Sequence, residues 1–207
     1  MKIICIGRNY AEHARELNND IPDQPVVFMK PASALLVGRK PFYYPEFTKD
    51  LHFETEIVLK IGKNGRHVQP EFALEYIEEI SLGIDFTARD IQSQLKAKGQ
   101  PWELAKAFDG SAVIGDFVSL DQLPGLSNIE FYLEKNGKQV QHGFSKDMLF
   151  SFADIICFVS QYFKLQMGDY IYTGTPAGVG PVQPGDELRG FLVLRSGAQE
   201  VLACDVR

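Results

Sequence analysis

Leu51-His52-Phe53-Glu54-Thr55-Glu56-Ile57-Val58, continued by Leu59-Lys60-Ile61, alternates in character along its length and predicts a β-strand over residues 51–61. Side chains on a strand alternate between faces, so His52, Glu54 and Glu56 share one face while Phe53, Thr55 and Ile57 share the other. Two carboxylates at this spacing lie roughly 7 Å apart at the backbone, close enough for converging side chains to share one cation. A solvated face of an antiparallel sheet has the same appearance, and Glu-x-Glu is common by chance.

Working outward, the pattern is mostly strands. Lys2–Ile6 is a short apolar run ending at Gly7, and Val26–Met29 is another. Glu78–Phe86 reads as a strand that runs into a helical stretch, Ala88–Lys98, stopped by Gly99 and Pro101. Asn136-Gly137 between Ile129–Glu134 and Lys138–Gln141 marks a hairpin. Asp169–Thr173, Glu187–Leu194 and Glu200–Val206 are strands divided by Gly/Pro turns. Two helices interrupt the series. Asn9–Asn18 has Asn9 as candidate N-cap and is polar enough to be a surface segment or a lid. Lys146–Phe163 carries Leu149, Phe152, Ile156, Val159 and Phe163 on one stripe and is a structural helix. Many strands with few helices indicate an α+β fold with a rolled or sandwiched sheet, and no repeat or linker divides residues 1–207.

Composition narrows the function. With 45% hydrophobic and 23% charged residues, and 15 Phe and 8 Tyr to bury, the chain is an ordinary globular domain rather than a disordered one. A net charge of −6 argues against non-specific nucleic-acid binding, which demands a basic face. Cys5, Cys157 and Cys204 form no CxxC pair and read as reduced thiols. The apolar residues before Arg8 are too few for a signal or a membrane span, so no membrane partner and a cytoplasmic or organellar-matrix location are expected.

A second acidic feature lies in Gly83-Ile84-Asp85-Phe86-Thr87-Ala88-Arg89-Asp90-Ile91-Gln92. Asp85 closes an apolar strand, a costly place for a carboxylate without a partner. Arg89 and Gln92 follow at helical spacing and can face the strand end with it. Asp85 is equally an N-cap candidate for the helix that starts near Thr87.

These stretches resemble, in order, motifs of the fumarylacetoacetate hydrolase family: His-x-Glu-x-Glu at 52–56, G-I-D-F-T-A-R-D-I-Q at 83–92, P-W-E-L-A-K-A-F-D at 101–109 and Y-T-G-T-P-A-G-V-G at 172–180. The opening G-R-N-Y-A-E-H-A-R-E and the later F-M-K-P-A-S are similar to its short acylpyruvase/oxaloacetate decarboxylase branch. The resemblance implies a fumarylacetoacetate-hydrolase-like fold, with mixed sheets rolled into a sandwich or barrel, peripheral helices, and a lid helix over residues 9–19. It assigns Glu54, Glu56 and Asp85 to a Mg²⁺ or Mn²⁺ ion. Hard carboxylate ligands without Cys or a second His at ligand spacing agree with those ions over Zn²⁺. His52 is then structural or a support to the ligands.

The resemblance also makes Lys106 an active-site cation, with Lys30 a weaker candidate for the same anionic-substrate pocket. Arg89 and Gln92 are candidate substrate contacts, as is Thr175 in the Gly-rich loop. His13 and Glu16, three apart on the lid helix, form an imidazole–carboxylate pair that activates water. The implied chemistry is carbon–carbon cleavage in a small 2-oxo acid through a metal-held enolate, as acylpyruvate hydrolysis or oxaloacetate decarboxylation. Isomerisation of a 2-hydroxyhepta-2,4-diene-1,7-dioate type diacid and a non-catalytic metal-binding relative are the alternatives. The resemblance further implies a homodimer; sedimentation as a monomer at micromolar concentration counts against it.

Overall fold

Ile3, Ile4, Cys5 and Ile6 are all buried, because the strand they form, Ile3–Gly7, lies inside a sheet covered on both faces. In the computed structural model, residues 1–16 and 20–207 are described. Among these, the large sheet has eight strands. Its order is Val26–Lys30, Ile3–Gly7, Tyr170–Tyr172, Thr55–Ile61, Ile77–Asp85, Ala112–Ile114 and Leu35–Leu36, with Val118–Ser119 pairing further along Ile77–Asp85. Ile3–Gly7 runs parallel to Tyr170–Tyr172, while Thr55–Ile61 is antiparallel to Ile77–Asp85, so the sheet is mixed. Ile4 and Ile6 join the main core on one face; Ile3 and Cys5 join a smaller cluster with Val58, Ala112 and Tyr172 on the other.

A four-stranded antiparallel sheet, Lys138–Phe144, Glu130–Lys135, Glu187–Leu194 and Gly197–Asp205, closes the main core. Phe131, Leu188, Leu192 and Leu202 from it share one cluster with Ile80, Leu82 and Ile84 of the large sheet. Asn136 and Gly137, both with positive φ (53° and 73°), form the hairpin turn that the sequence indicates. The fold is α+β, with mixed, curled sheets and few helices.

Three elements depart from the sequence reading. The helix expected over Lys146–Phe163 begins only at Phe152: Ser151 accepts a hydrogen bond from the Asp154 amide and the Asp154 carboxylate accepts one from the Ser151 amide, a capping box that fixes the start. Asn9 is not a helix cap. It is fully buried, donating from Nδ2 to the carbonyls of Phe150 and Thr173 and accepting through Oδ1 from the Phe150 amide. The helix it was expected to start is seen as Ala11–Glu16; its remaining residues, 17–19, lie outside the described residues.

The third departure matters most. The single strand expected over 51–61 is two strands, Leu51–Phe53 and Thr55–Ile61, broken at Glu54. Leu51–Phe53 pairs with Thr87–Ala88 and Gly180–Pro181 in a small third sheet, whereas Thr55–Ile61 pairs with Ile77–Asp85 and Tyr170–Tyr172 in the large one. Glu54 therefore sits where the chain changes sheets, with its carbonyl accepting from the Asp85 amide at 2.8 Å.

Candidate metal centre

That crossing brings the acidic residues together. The ladder sets Thr55 opposite Ile84 and Glu56 opposite Gly83, so Asp85, one residue further, ends its strand beside Glu54. One carboxylate oxygen from each of Glu54, Glu56 and Asp85 lies within 4.8 Å of the others, and all three residues are buried. The N-cap alternative for Asp85 falls away: the cap of the Arg89–Ala97 helix is Ala88, with no side-chain cap bond.

Three cations balance the three carboxylates. Lys106 donates to Glu54 Oε2 (2.7 Å) and Asp85 Oδ2 (2.6 Å), Arg89 donates to Glu54 Oε1 (2.7 Å), and Lys30 lies 2.7 Å from Asp85 Oδ1. Glu56 has no ion pair among the described residues; its Oε2 accepts only the Gly174 amide, at 2.7 Å. Burial and then the neighbouring Asp85 and Glu54 charges push the Glu56 carboxyl well above the usual carboxylate range, against the Gly174 hydrogen bond. Burial acts the same way on Glu54, but Lys106 and then Arg89 outweigh it and hold that carboxyl well below the usual range. Burial works to neutralise Lys106, yet Asp85 and Glu54 prevail and keep its ammonium above its ordinary value.

A divalent cation fits this donor set. The oxygens are hard and converge, the Glu56 carboxyl is crowded by like charges without a counterion, and no donor points at the buried Asp85 Oδ1 with hydrogen-bond geometry. His52 is outside the cluster: its Nε2 pairs with Asp50 Oδ1 at 2.9 Å, and burial, then Arg89, lower its basicity.

Beside the triad opens a cleft. His13, Glu54, Arg89, Gln92 and Lys106 all line it, so five of the expected residues meet there. His13, 5% exposed, holds its Nδ1 3.2 Å from Glu16 Oε2. The Glu16 carboxylate also accepts the Gly178 amide at 3.1 Å, tying the Ala11–Glu16 helix to the Gly-rich loop. Gln92 accepts from Arg89 through Oε1 at 2.8 Å, which turns the guanidinium toward Glu54.

Two expected substrate contacts are placed differently. The Lys30 side chain is fully buried and does not line the cleft. Its ammonium donates to the carbonyls of Lys106 and Ser111 and to Ser111 Oγ, and so braces Asp85 from behind. Lys30→Met is accordingly expected to cost about 3–5 kcal/mol of folding stability, because it strands a buried carboxylate and several carbonyls; urea denaturation measures this, and an unchanged midpoint contradicts it. Thr175 is also buried and away from the cleft lining, its Oγ1 accepting from Gln141 Nε2 at 2.8 Å.

Five cleft residues were not among the expected site residues: Gly7, Arg8, Phe28, Lys96 and Trp102. Gln141 was missed too. Its Nε2 also donates to the Pro176 carbonyl and its Oε1 accepts the Thr55 amide, pinning the Gly-rich loop to the strand that carries Glu56. Gln141 is buried, and nothing in the sequence of that hairpin strand marks it out.

Residues 2–196 match the model of the fumarylacetoacetate hydrolase C-terminal domain. The chain belongs to the fumarylacetoacetate hydrolase family. Within the family it is 42% identical to the mitochondrial oxaloacetate tautomerase of Bos taurus, across 90% of this chain and 85% of that one. It is 41% identical to the mitochondrial oxaloacetate decarboxylase of Dictyostelium discoideum, across 91% and 87%. Its fold matches the fumarylpyruvate hydrolase of Pseudomonas aeruginosa, solved with Mn²⁺ and pyruvate, with a TM-score of 0.92 and 34% identity over 100% of this chain and 89% of that one. The fumarylacetoacetate hydrolase relatives named here are thus enzymes acting on oxo acids, and among the described residues of this chain no helix is long and apolar enough to cross a membrane.

Proposed function

We propose that this chain is a Mg²⁺- or Mn²⁺-dependent enzyme of small 2-oxo acids that breaks the bond between C3 and C4, hydrolysing an acylpyruvate or decarboxylating oxaloacetate. The observation that carries this reading is a cluster of three buried carboxylates that reaches, through Glu54, a cleft also lined by Lys106 and His13. When bound by Glu54, Glu56 and Asp85, the cation supplies Lewis acidity toward the carboxylate and 2-oxo oxygen of the acid.

The side chains divide the remaining work. Glu16 holds His13 through Nδ1, which leaves Nε2 as the nitrogen that takes a proton from water for attack on the distal carbonyl. Lys106 spends two donors on Glu54 and Asp85; its third, at the cleft wall, can meet negative charge that develops on the substrate. Phe28, above which the Lys106 ammonium lies at 5.1 Å, keeps that end of the cleft dry. Arg89 and Gln92 hold Glu54 in place.

A second reading, tautomerisation of oxaloacetate, is favoured by the names of the curated relatives and by the same imidazole, which can add or remove the C3 proton as the 2-oxygen loses or gains one, with every carbon–carbon bond left intact. Purified protein supplied with Mg²⁺ or Mn²⁺ and offered acetylpyruvate, fumarylpyruvate and oxaloacetate in parallel separates the readings. Pyruvate release supports cleavage. Decay of enol absorbance without pyruvate supports tautomerisation. Neither signal with any of the three acids overturns both.

A further inference from the structure

Glu16 and Glu56 stand on different elements, yet each accepts an amide from the same loop. Gly174 donates to Glu56 Oε2 at 2.7 Å, and Gly178 donates to Glu16 Oε1 at 3.1 Å. Between those two amides the loop is gripped by Gln141, which is 2% exposed. Its Nε2 donates to Thr175 Oγ1 (2.8 Å) and to the Pro176 carbonyl (3.0 Å). Its Oε1 accepts the Thr55 amide at 3.0 Å, at the peptide that follows Glu54 where the chain changes sheets.

The hairpin strand is shaped to make this grip. Leu133 pairs with Gln141 but Glu134 pairs with Gln139, so Val140 is the extra residue of a β-bulge directly beside Gln141. A bulge bends its strand and re-aims the neighbouring side chain. The loop lies close against the bulge: Gly178, at φ 97°, has its Cβ position filled by the Val140 carbonyl, and a Cβ at Gly143 would meet Pro176 Cγ at 2.9 Å. Residue type matters as much as place. A glutamine amide can accept once from a strand N–H and donate twice to a loop, whereas a lysine cannot accept and a carboxylate cannot donate. The Thr55 N–H and the Pro176 carbonyl also fix which end of the amide faces which partner.

We propose that Gln141 is a positioning residue for both halves of the site. By fixing residues 174–178 against the strand that carries Glu56, it sets the Gly174 amide on Glu56 and the Gly178 amide on Glu16, and through Glu16 the ring of His13. This rests on the reading of Glu56 as a cation ligand and His13 as the base, and adds the side chain that holds the two in step.

Amide hydrogen exchange and calorimetric Mn²⁺ titration of the full chain test it without any substrate. Gln141→Met keeps the length and bulk of the side chain while removing its acceptor and both donors. The Gly174 and Gly178 amides are expected to exchange about tenfold faster or more, with those of the buried strand residues Leu59 and Leu82 unchanged. Mn²⁺ affinity should fall by about tenfold, the usual worth of a group that orients a ligand. At saturating Mn²⁺, kcat for an acylpyruvate should fall by about 10- to 100-fold with KM little changed. In a Glu16→Ala background the same substitution should cost about threefold or less, because the path through Glu16 is already gone; a purely structural role gives equal losses in both backgrounds. Gln141→Glu keeps the acceptor for Thr55 and can accept from the Thr175 hydroxyl, so it should loosen the loop less, and it keeps the test open if Gln141→Met folds poorly.

Parental exchange at Gly174 and Gly178 in both variants overturns the proposal. Faster exchange with parental Mn²⁺ affinity overturns it too, leaving Gln141 a brace for the loop and nothing more. Equal kcat losses in the two backgrounds overturn the path through Glu16. If the unmodified chain cleaves no 2-oxo acid, that reading of the cleft falls, while exchange and Mn²⁺ binding still decide for or against Gln141.

Discussion

Glu56→Gln is expected to abolish cation-dependent turnover, by about 10³-fold or more, while leaving the chain folded. Glu54 and Asp85 are braced by Lys106, Arg89 and Lys30, so removing either carboxylate leaves buried ammonium or guanidinium groups without a counterion. Activity lost in Glu54→Ala or Asp85→Ala therefore mixes lost cation binding with damaged packing, although both variants are also expected to be inactive. Glu56 is different. Its only hydrogen bond among the described residues is from the Gly174 amide, which a glutamine carbonyl can still accept, and its charge is opposed by two carboxylates. A neutral amide relieves that repulsion. Glu56→Gln should thus melt at or above the temperature of the metal-free parent, yet lose the Mn²⁺-induced rise in Tm that the parent shows. Wild-type Mn²⁺ affinity and turnover in this variant would show that the cation site is misplaced.

The second large effect concerns the Ala11–Glu16 helix. His13→Ala should reduce acylpyruvate hydrolysis by about 10²-fold or more, the usual worth of a general base, with Mn²⁺ affinity retained. Retention follows from the geometry, since His13 lines the cleft but is not one of the three converging carboxylates. Oxaloacetate decarboxylation requires no activated water and should fall less. Glu16→Gln is expected to be milder on hydrolysis than His13→Ala, because an amide can still accept from the Gly178 N–H while no longer stabilising a protonated imidazole. Parallel kcat measurements on the two substrates decide the matter: hydrolysis at the parental rate in His13→Ala sinks the water-activating role, and equal loss of both activities means that the pair serves lid closure or both reactions.

The acidic cluster was legible because its residues are close in sequence on strands with strong patterns. Glu-x-Glu fixes a spacing, and a carboxylate at the end of the apolar run Ile80–Ile84 needs a partner wherever the strand goes. What the sequence hid was set by partners remote along the chain. The break at Glu54 depends on which strands flank residues 51–53 and 55–61, and nothing within the eleven residues announces a change of sheet. Lys30 looks like any lysine ending a short strand; its burial comes from carbonyls at residues 106 and 111. The start of the Phe152–Tyr162 helix was written in Ser151-x-x-Asp154, a cap with Asp in the place of the commoner Glu or Gln, and a long apolar stripe obscured it. The left-handed backbone at Arg8 has no signature in residue type at all.

The ion pairs that hold Glu54 and Asp85 to Lys106, Arg89 and Lys30, with Glu56 unpaired among the described residues, also bear on the order of assembly under the proposed cation dependence. Before a divalent ion arrives, the cluster is close to electroneutral and most of its charges are matched within the fold, so the inner cleft offers an incoming anion little that is unspent. The chain as a whole, at −6, repels such an anion. On the proposed reading, a bound ion would turn the inner cleft into a positive spot within a negative molecule. Substrate capture is then expected to be sequential, ion first and acid second, with the acid's affinity a reporter of how fully the protein is loaded.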